Sequence, residues 1–196
     1  MFACKLKLLV LGLLVVSMLL PVQITRAANI ASSNSPACRH CPGGGGGGSS
    51  GQLTQSEIDG LMYMREEEKL ARDAYLTLYE RWHLNIFYKI SNSEVMHMSK
   101  VKELLDRYGV PDPAAGNAVG VFTNPILQQL YDDLMIQGSQ SSTEALKVGV
   151  AIEEVDIADL QNYLAATNKS DIVNVYTMLL NGSYNHLNAF NYQLAR

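Results

Sequence analysis

Glu94 and His97 stand three positions apart in the run Ser-Glu-Val-Met-His-Met, 93–98. On a helix that spacing puts both side chains on one face, where they could converge on a single ion. Glu68, the pair Glu153 and Asp156, and His186 have the same character. Four carboxylates buried without partners would be prohibitively costly, whereas two divalent cations carry +4 against their −4 and leave two neutral imidazoles as nitrogen ligands. Together these residue types would hold a pair of metal ions. Taken singly, each has a plainer reading. Glu68 could pair with Arg72 on the surface, and Glu154 replaces Glu153 if the helix phase slips by one. A lone His at an apolar position, such as His186, is more often hydrogen-bonded than metal-bound. Glu66 and Glu67 read as solvated acids, and His83 as a surface residue. What decides between the readings is whether separate elements bring the candidates to one level.

About 145 residues follow position 51, enough for one domain with one core. Thr54-x-x-Glu57 is a capping box, and Leu53 with Ile58 forms a hydrophobic staple, so a helix begins there. Its apolar stripe is Leu61, Met64, Ala71, Tyr75, Leu78 and Trp82, with Glu68 in the gap. A second helix is predicted from about Ile86 to Tyr108, ended by Gly109 and Pro111. Its stripe runs Phe87, Ile90, Glu94, His97, Val101, Leu104, Tyr108. A connection of roughly thirty residues follows, carrying a short helix capped by Asn124 and Pro125 and stopped by Gly138, as expected of a crossover along a bundle. Ser141-x-x-Glu144 caps a third long helix, with Ala145, Gly149, Ile152, Leu160 and Tyr163 on its stripe and Glu153 and Asp156 inserted among them. The fourth runs from about Asp171 to the C-terminus through Ile172, Tyr176, Leu179, Ser183, His186 and Phe190. No β-alternation competes. Each long helix thus breaks its stripe near mid-length with an acid or a His.

The N-terminal part reads differently. Lys5 and Lys7 precede an apolar run from Leu8 to Leu20, then Pro21 and Thr25-Arg26-Ala27-Ala28, the pattern of a secretory signal cleaved after Ala27. Residues 1–27 are therefore expected to be a signal peptide and the protein to be exported, to the periplasm, the cell surface or the medium; an uncleaved anchor would be its one route to a membrane. Without that segment 12 basic residues face 19 acidic ones, a net charge of −7, which argues against a nucleic-acid partner. Residues 28–51 read as a flexible arm, with Cys38-Arg-His-Cys41 and then a run from Gly43 to Gly51 broken only by Ser49 and Ser50. Cys38 and Cys41 form a local disulfide or half of a metal knuckle; Pro42 after the second Cys excludes c-type haem attachment.

Glu68-Lys-Leu-Ala-Arg-Asp-Ala-Tyr75 resembles the first-helix Glu-x-x-Ala-Arg-x-x-Tyr of rubrerythrins, and Glu94-x-x-His97 resembles the second-helix ligand pair of the ferritin-like superfamily. More closely, the runs MREEEKLARDAY, SEVMHM, VGVAIEEVDIADL and NGSYNHLNAF are similar to an uncharacterised prokaryotic ferritin-like family, the domain of unknown function DUF2202. The resemblance implies an all-α, ferritin-like four-helix bundle over residues 52–196, with a long crossover containing a short extra helix between helices 2 and 3. It implies two divalent metals, iron first and manganese as the alternative, held by Glu68, Glu94, His97, Glu153, Asp156 and His186. It also implies iron oxidation by oxygen or peroxide if the protein is an enzyme. The departure is on the fourth helix. The superfamily's Glu-x-x-His is here Ser183-Tyr-Asn-His186, and Ser is a poor ligand for a hard divalent ion. Asp156, one turn from Glu153, restores the count to four carboxylates. Tyr75 and Tyr176 are expected in the core, with support of the ligands or electron relay as the alternative. Three functional readings follow: a redox di-metal protein; a non-catalytic exported module with a structural metal or none; and, below these, iron storage in a cage. A homodimer is left open.

Overall fold

The computed structural model describes residues 52–196, which form five helices: α1 Gln55–Trp82, α2 Asn85–Tyr108, α3 Pro125–Gly138, α4 Ser142–Ala166 and α5 Ser170–Leu194. The described chain is all-α. Its punctuation follows local chemistry. Thr54 accepts the Glu57 N–H at 3.2 Å while the Glu57 carboxylate accepts the Thr54 N–H at 2.8 Å, a reciprocal box worth about 1 kcal/mol. Helix α1 ends on exposed His83 in the left-handed region, φ 53°, and α2 on Gly109, φ 67°, where the missing Cβ removes the strain. Asn124 accepts the N–H groups of Ile126 and Leu127 to start α3. At α4 only half of the expected box forms, since Ser141 accepts the Glu144 N–H but the Glu144 carboxylate turns to Gln137 and Lys147.

The four long helices close a ring, α1 on α2, α2 on α5, α5 on α4 and α4 on α1, with α3 against α1 and α4. Neighbours in the ring are antiparallel. Along α1 the positions of Arg65, Glu68 and Tyr79 rise while their α2 contacts, Met98, His97 and Tyr88, fall. The pairs Gly149 with Phe190, Asp156 with Ser183 and Tyr163 with Tyr176 give the same sense for α4 and α5. Tyr63 with Tyr163 and Tyr75 with Glu153 give it for α1 and α4. Hence α2 and α4 run in the same direction, and residues 109–141 must travel the length of the bundle between them. Helix α3 lies on that path.

The core comes in two apolar layers. One holds Leu70, Ala74, Tyr75, Leu78, Phe87, Ile90, Ile152 and Phe190; the other holds Leu61, Met64, Val101, Leu104, Leu160, Ile172, Tyr176 and Leu179. In the first, the rings of Tyr75, Phe87 and Phe190 meet at 5.2–6.1 Å. Each buried ring contributes on the order of 2–3 kcal/mol. On every long helix the residues between the two layers are the acids and imidazoles. Among the described residues no helix is long and apolar enough to cross a membrane.

Glu66 and Glu67 are not solvated, contrary to the sequence expectation: they are 2% and 3% exposed. The connection covers the outer face of α1 and supplies partners there. Glu66 accepts the N–H groups of Thr123 at 2.5 Å and Asn124 at 2.9 Å, placing its charge at the start of α3, where the helix dipole favours it. Arg65 forks onto Asp112 at 3.0 Å and donates to Met98 O at 3.1 Å. Lys69 donates to Asp73 and to the carbonyls of Ala118 and Val121 at 2.5–3.0 Å. These bonds seat the connection on α1, and with it α1 beside α2 and α4.

Candidate metal centre

Between the two apolar layers, α1 contributes Glu68, α2 Glu94 and His97, α4 Glu153 and Asp156, and α5 His186. All are buried except His186, which is partly so. Glu153 takes the interior position and Glu154 is exposed, which fixes the phase of α4; Arg72 pairs with Asp73 rather than with Glu68. Two groups have donor atoms all within 4.8 Å of one another: Glu68, Glu94 and His97, and Glu94, Glu153 and His186. Glu94 belongs to both. Its Oε2 lies 2.8 Å from His97 Nδ1 and its Oε1 2.8 Å from His186 Nδ1, so one carboxylate faces two imidazoles. The two rings lie 5.6 Å apart and nearly parallel, at 30°. Glu68 Oε2 is 3.2 Å from His97 Nδ1, and Glu153 Oε1 is 3.6 Å from His186 Nδ1.

Asp156 belongs to neither group. Its Oδ2 accepts a hydrogen bond from Ser183 Oγ, so the α5 position that departs from Glu-x-x-His is spent on holding an α4 carboxylate. The pairing of Ser183 with Asp156 is not legible from either helix alone. Tyr75, buried in the adjoining apolar layer, sends its hydroxyl into the site and donates to Glu153 Oε1 at 2.6 Å. Tyr176 stays in the apolar layer beyond, 6.2 Å from the Tyr163 ring. Ser93 Oγ lies 3.1 Å from His186 Nε2 and can accept its proton, which points Nδ1 at Glu94 and Glu153, where it is free to ligate once its own proton is given up. Gly182 makes the close approach of α5 possible, because a Cβ there would stand 2.5 Å from His97 Cε1. Ser93 and Gly182 were open to sequence reading only as small or hydroxyl residues beside the predicted ligands.

The layer is short of positive charge. Burial and the neighbouring Asp156 push the Glu68 carboxyl well above its ordinary range. Burial raises Glu153 to about 7 against the opposing pull of the His186 imidazole 3.6 Å away. Burial and Glu153 raise Asp156 to about 8 despite Ser183. Glu94 is the exception: burial would raise it, but the imidazoles of His186 and His97, each 2.8 Å away, bring it to about 2. The imidazoles respond in kind. Burial lowers both, yet Glu68 and Glu94 lift His97 to about 11, and Glu153 and Glu94 lift His186 to about 9. Even so, Glu68 Oε1, Glu94 Oε1, Asp156 Oδ1 and His186 Nδ1 are buried without a partner in hydrogen-bond alignment. Such atoms are costly to leave bare, and cations held by the two donor groups would satisfy those of Glu68, Glu94 and His186.

Fold and site together define an all-helical bundle protein with an interior layer of carboxylates and imidazoles. Residues 57–196 match the family described as Uncharacterized protein domain (DUF2202), and the chain belongs to that family. It is 50% identical over 138 residues to the uncharacterized protein MJ0754 of Methanocaldococcus jannaschii, covering 70% of this chain and 75% of that one. The crystal structure of the hypothetical protein MJ0754 from Methanococcus jannaschii DSM 2661 superposes with a TM-score of 0.74 at 47% identity, over 76% of this chain and 86% of that one. A DUF305 fragment from Deinococcus radiodurans shares the fold at TM-score 0.56 and 15% identity, over 74% of this chain and 99% of the fragment.

Proposed function

We propose that this chain is an exported ferritin-like protein whose bundle holds a pair of divalent metal ions, iron in the first instance and manganese as the alternative. The observation that carries the reading is the sharing of Glu94 between two groups of convergent donors, each completed by one further carboxylate and one imidazole nitrogen. Glu68 and His97 would serve one ion, Glu153 and His186 the other, and Glu94 would offer an oxygen to each. Asp156, fixed by Ser183, adds the fourth negative charge. The co-directional α2 and α4, with the connection running between them, support the ferritin-like class. Export rests on the N-terminal sequence pattern, which lies outside the described residues, as do Cys38 and Cys41.

Bound iron would supply electrons to oxygen or peroxide. The chain's own residues set the conditions for it. Tyr75 donates to Glu153 and so restrains the orientation of that carboxylate, while Ser93 holds His186 by its far nitrogen. The apolar layers above and below exclude water, which strengthens every charge interaction inside. Anaerobic loading with Fe(II) followed by oxygen or peroxide tests the reading. Two irons per chain and an oxidation-dependent visible band are expected; iron that fails to bind in a defined ratio would refute it.

A second reading has an observation of its own. His97 Nδ1 lies within 3.2 Å of both Glu68 and Glu94, so imidazolium could replace the metals and leave a structural polar layer without catalysis. The same loading experiment separates the two, because an imidazolium layer takes up no stoichiometric metal.

A further inference from the structure

Glu67 belongs to neither donor group, yet it is 3% exposed and neither of its oxygens has a hydrogen-bond partner. Its neighbour Glu66, equally buried, has both oxygens bound to backbone N–H groups. Glu67 differs because it points to the seam between α1 and α4. There its strongest electrostatic neighbours are Asp156, Asp159 and Glu68, three more acids. Asp156 presents a second bare oxygen, Oδ1. Asp159, one turn further along α4, is half-buried and interacts with Glu67 and Tyr63. Tyr63 and Tyr163, with rings 6.1 Å apart, border this acid row and also line an open surface groove with Asp59. A row of carboxylates therefore runs from the groove, through Asp159 and Glu67, to Asp156 and the interior layer.

We propose that Glu67, Asp159 and Asp156 form a third divalent-cation site, separate from the two interior donor groups, through which metal ions enter the bundle from the α1–α4 seam. The inference rests on the di-metal reading of the interior. Three orphaned carboxylate oxygens on two residues have no role in packing and would be costly to bury bare, but a passing divalent ion satisfies them in turn. Asp159 is the capture point, since it is the member of the row that reaches solvent. Glu67 carries the ion past the tyrosines. Asp156, steadied by Ser183, delivers it to Glu68, its neighbour in the interior layer. The site is expected to be weak and in fast exchange, because its carboxylates are met in turn rather than converging as the two interior groups do, and hard cations are held firmly only by many oxygens at once.

Co(II), whose visible absorption reports its ligands, is the probe. The full-length protein and its Glu67→Gln and Asp159→Asn variants are titrated anaerobically, and entry is followed by stopped flow. Both variants remove charge without changing shape, and circular dichroism checks their folding; Glu154→Gln, an exposed acid on the same helix, is the control. The expected result is two tight Co(II) and one weak Co(II) in the wild type. Either variant should retain the tight pair, lose the weak ion and load at least 10-fold more slowly, while the control loads as the wild type does. Two tight ions everywhere, with equal loading rates, would overturn the entry site and leave the di-metal reading standing. No stoichiometric Co(II) in the wild type would overturn both.

Discussion

On the side of α1 that faces the 109–124 connection, the Asp73 carboxylate collects Lys69, Arg72 and the Gly120 N–H, and Glu66 collects two further backbone N–H groups. On the side that faces α2 and α4, Glu68 and Glu67 meet other acids and end in bare oxygens. Both faces are equally buried and separated by less than a turn. The outer acids are structural: their partners are in the chain, and the ion pairs fasten the connection. The inner acids find only imidazoles and hydroxyls for some of their oxygens and leave the others bare, and on the metal-binding proposal a ligand from outside the chain makes up the difference. Buried charge by itself does not indicate a site; buried charge without compensation does.

The comparison can be broken most forcefully by stability measurements on the metal-free protein. Asp73→Ala leaves Lys69 buried with only carbonyl partners, and should cost about 3–5 kcal/mol in chemical denaturation. Glu68→Gln should cost far less, because it removes a carboxylate crowded by Asp156 and Glu94 and held by His97 alone. Equal losses in the two variants would mean that the inner acids are already paired and the contrast is false. Next in size is metal affinity. Glu94→Ala removes the carboxylate common to both donor groups, so binding should fall by more than the roughly 10-fold to 100-fold lost when only a supporting residue is changed. Isothermal titration with Mn(II) measures it.

The pH dependence sharpens the contrast further. Glu153 at about 7, Asp156 at about 8 and His186 at about 9 all hold protons more tightly folded than unfolded. The native state therefore binds more protons, and the slope of stability against pH is negative. The two carboxyl contributions are complete below about pH 4 and fade up to their folded values; that of His186 is complete below about 6.5 and is lost as pH rises through 9. Metal-free protein should accordingly melt several degrees lower at about pH 9 than at about pH 6, and metal affinity should rise over the same range, because the ions displace those protons. A melting temperature that rises with pH would contradict the assignment.

The smallest expected effect concerns α5. Ser183→Glu restores Glu-x-x-His there but crowds Asp156, which now accepts from Ser183. Alone it should weaken Mn(II) binding; with Asp156→Asn, which returns the carboxylate count to four, binding should recover by a few-fold. A double variant no better than either single one would show that the two positions do not share a role.

Much of this was legible in the sequence because it is local. The caps at Thr54, Asn124 and Ser141, the stop at Gly109 and the phase of each stripe are set by residues within a turn, so the helices and the mid-level candidates could be read directly. The burial of Glu66 and Glu67 could not, since periodicity reports one apolar face and α1 has a second covered face made by a distant connection. A run of three acids usually marks solvent. The clue was that Arg65, Lys69 and Arg72 flank the run and place cations in several phases around the helix. Asp156 was read as a direct ligand, whereas the geometry sets it beside the two donor groups and against Ser183. That distinction depends on the register of α4 against α5, which no single helix carries.

If two cations compensate the inner acids, their binding must stabilise the fold. Thermal unfolding of metal-free protein, with Fe(II) added anaerobically in graded amounts at constant pH, tests it most directly. The melting temperature should climb steeply up to two Fe(II) per chain and only logarithmically with the excess beyond that, as binding to the native state alone requires. An unchanged melting temperature across the titration would contradict it.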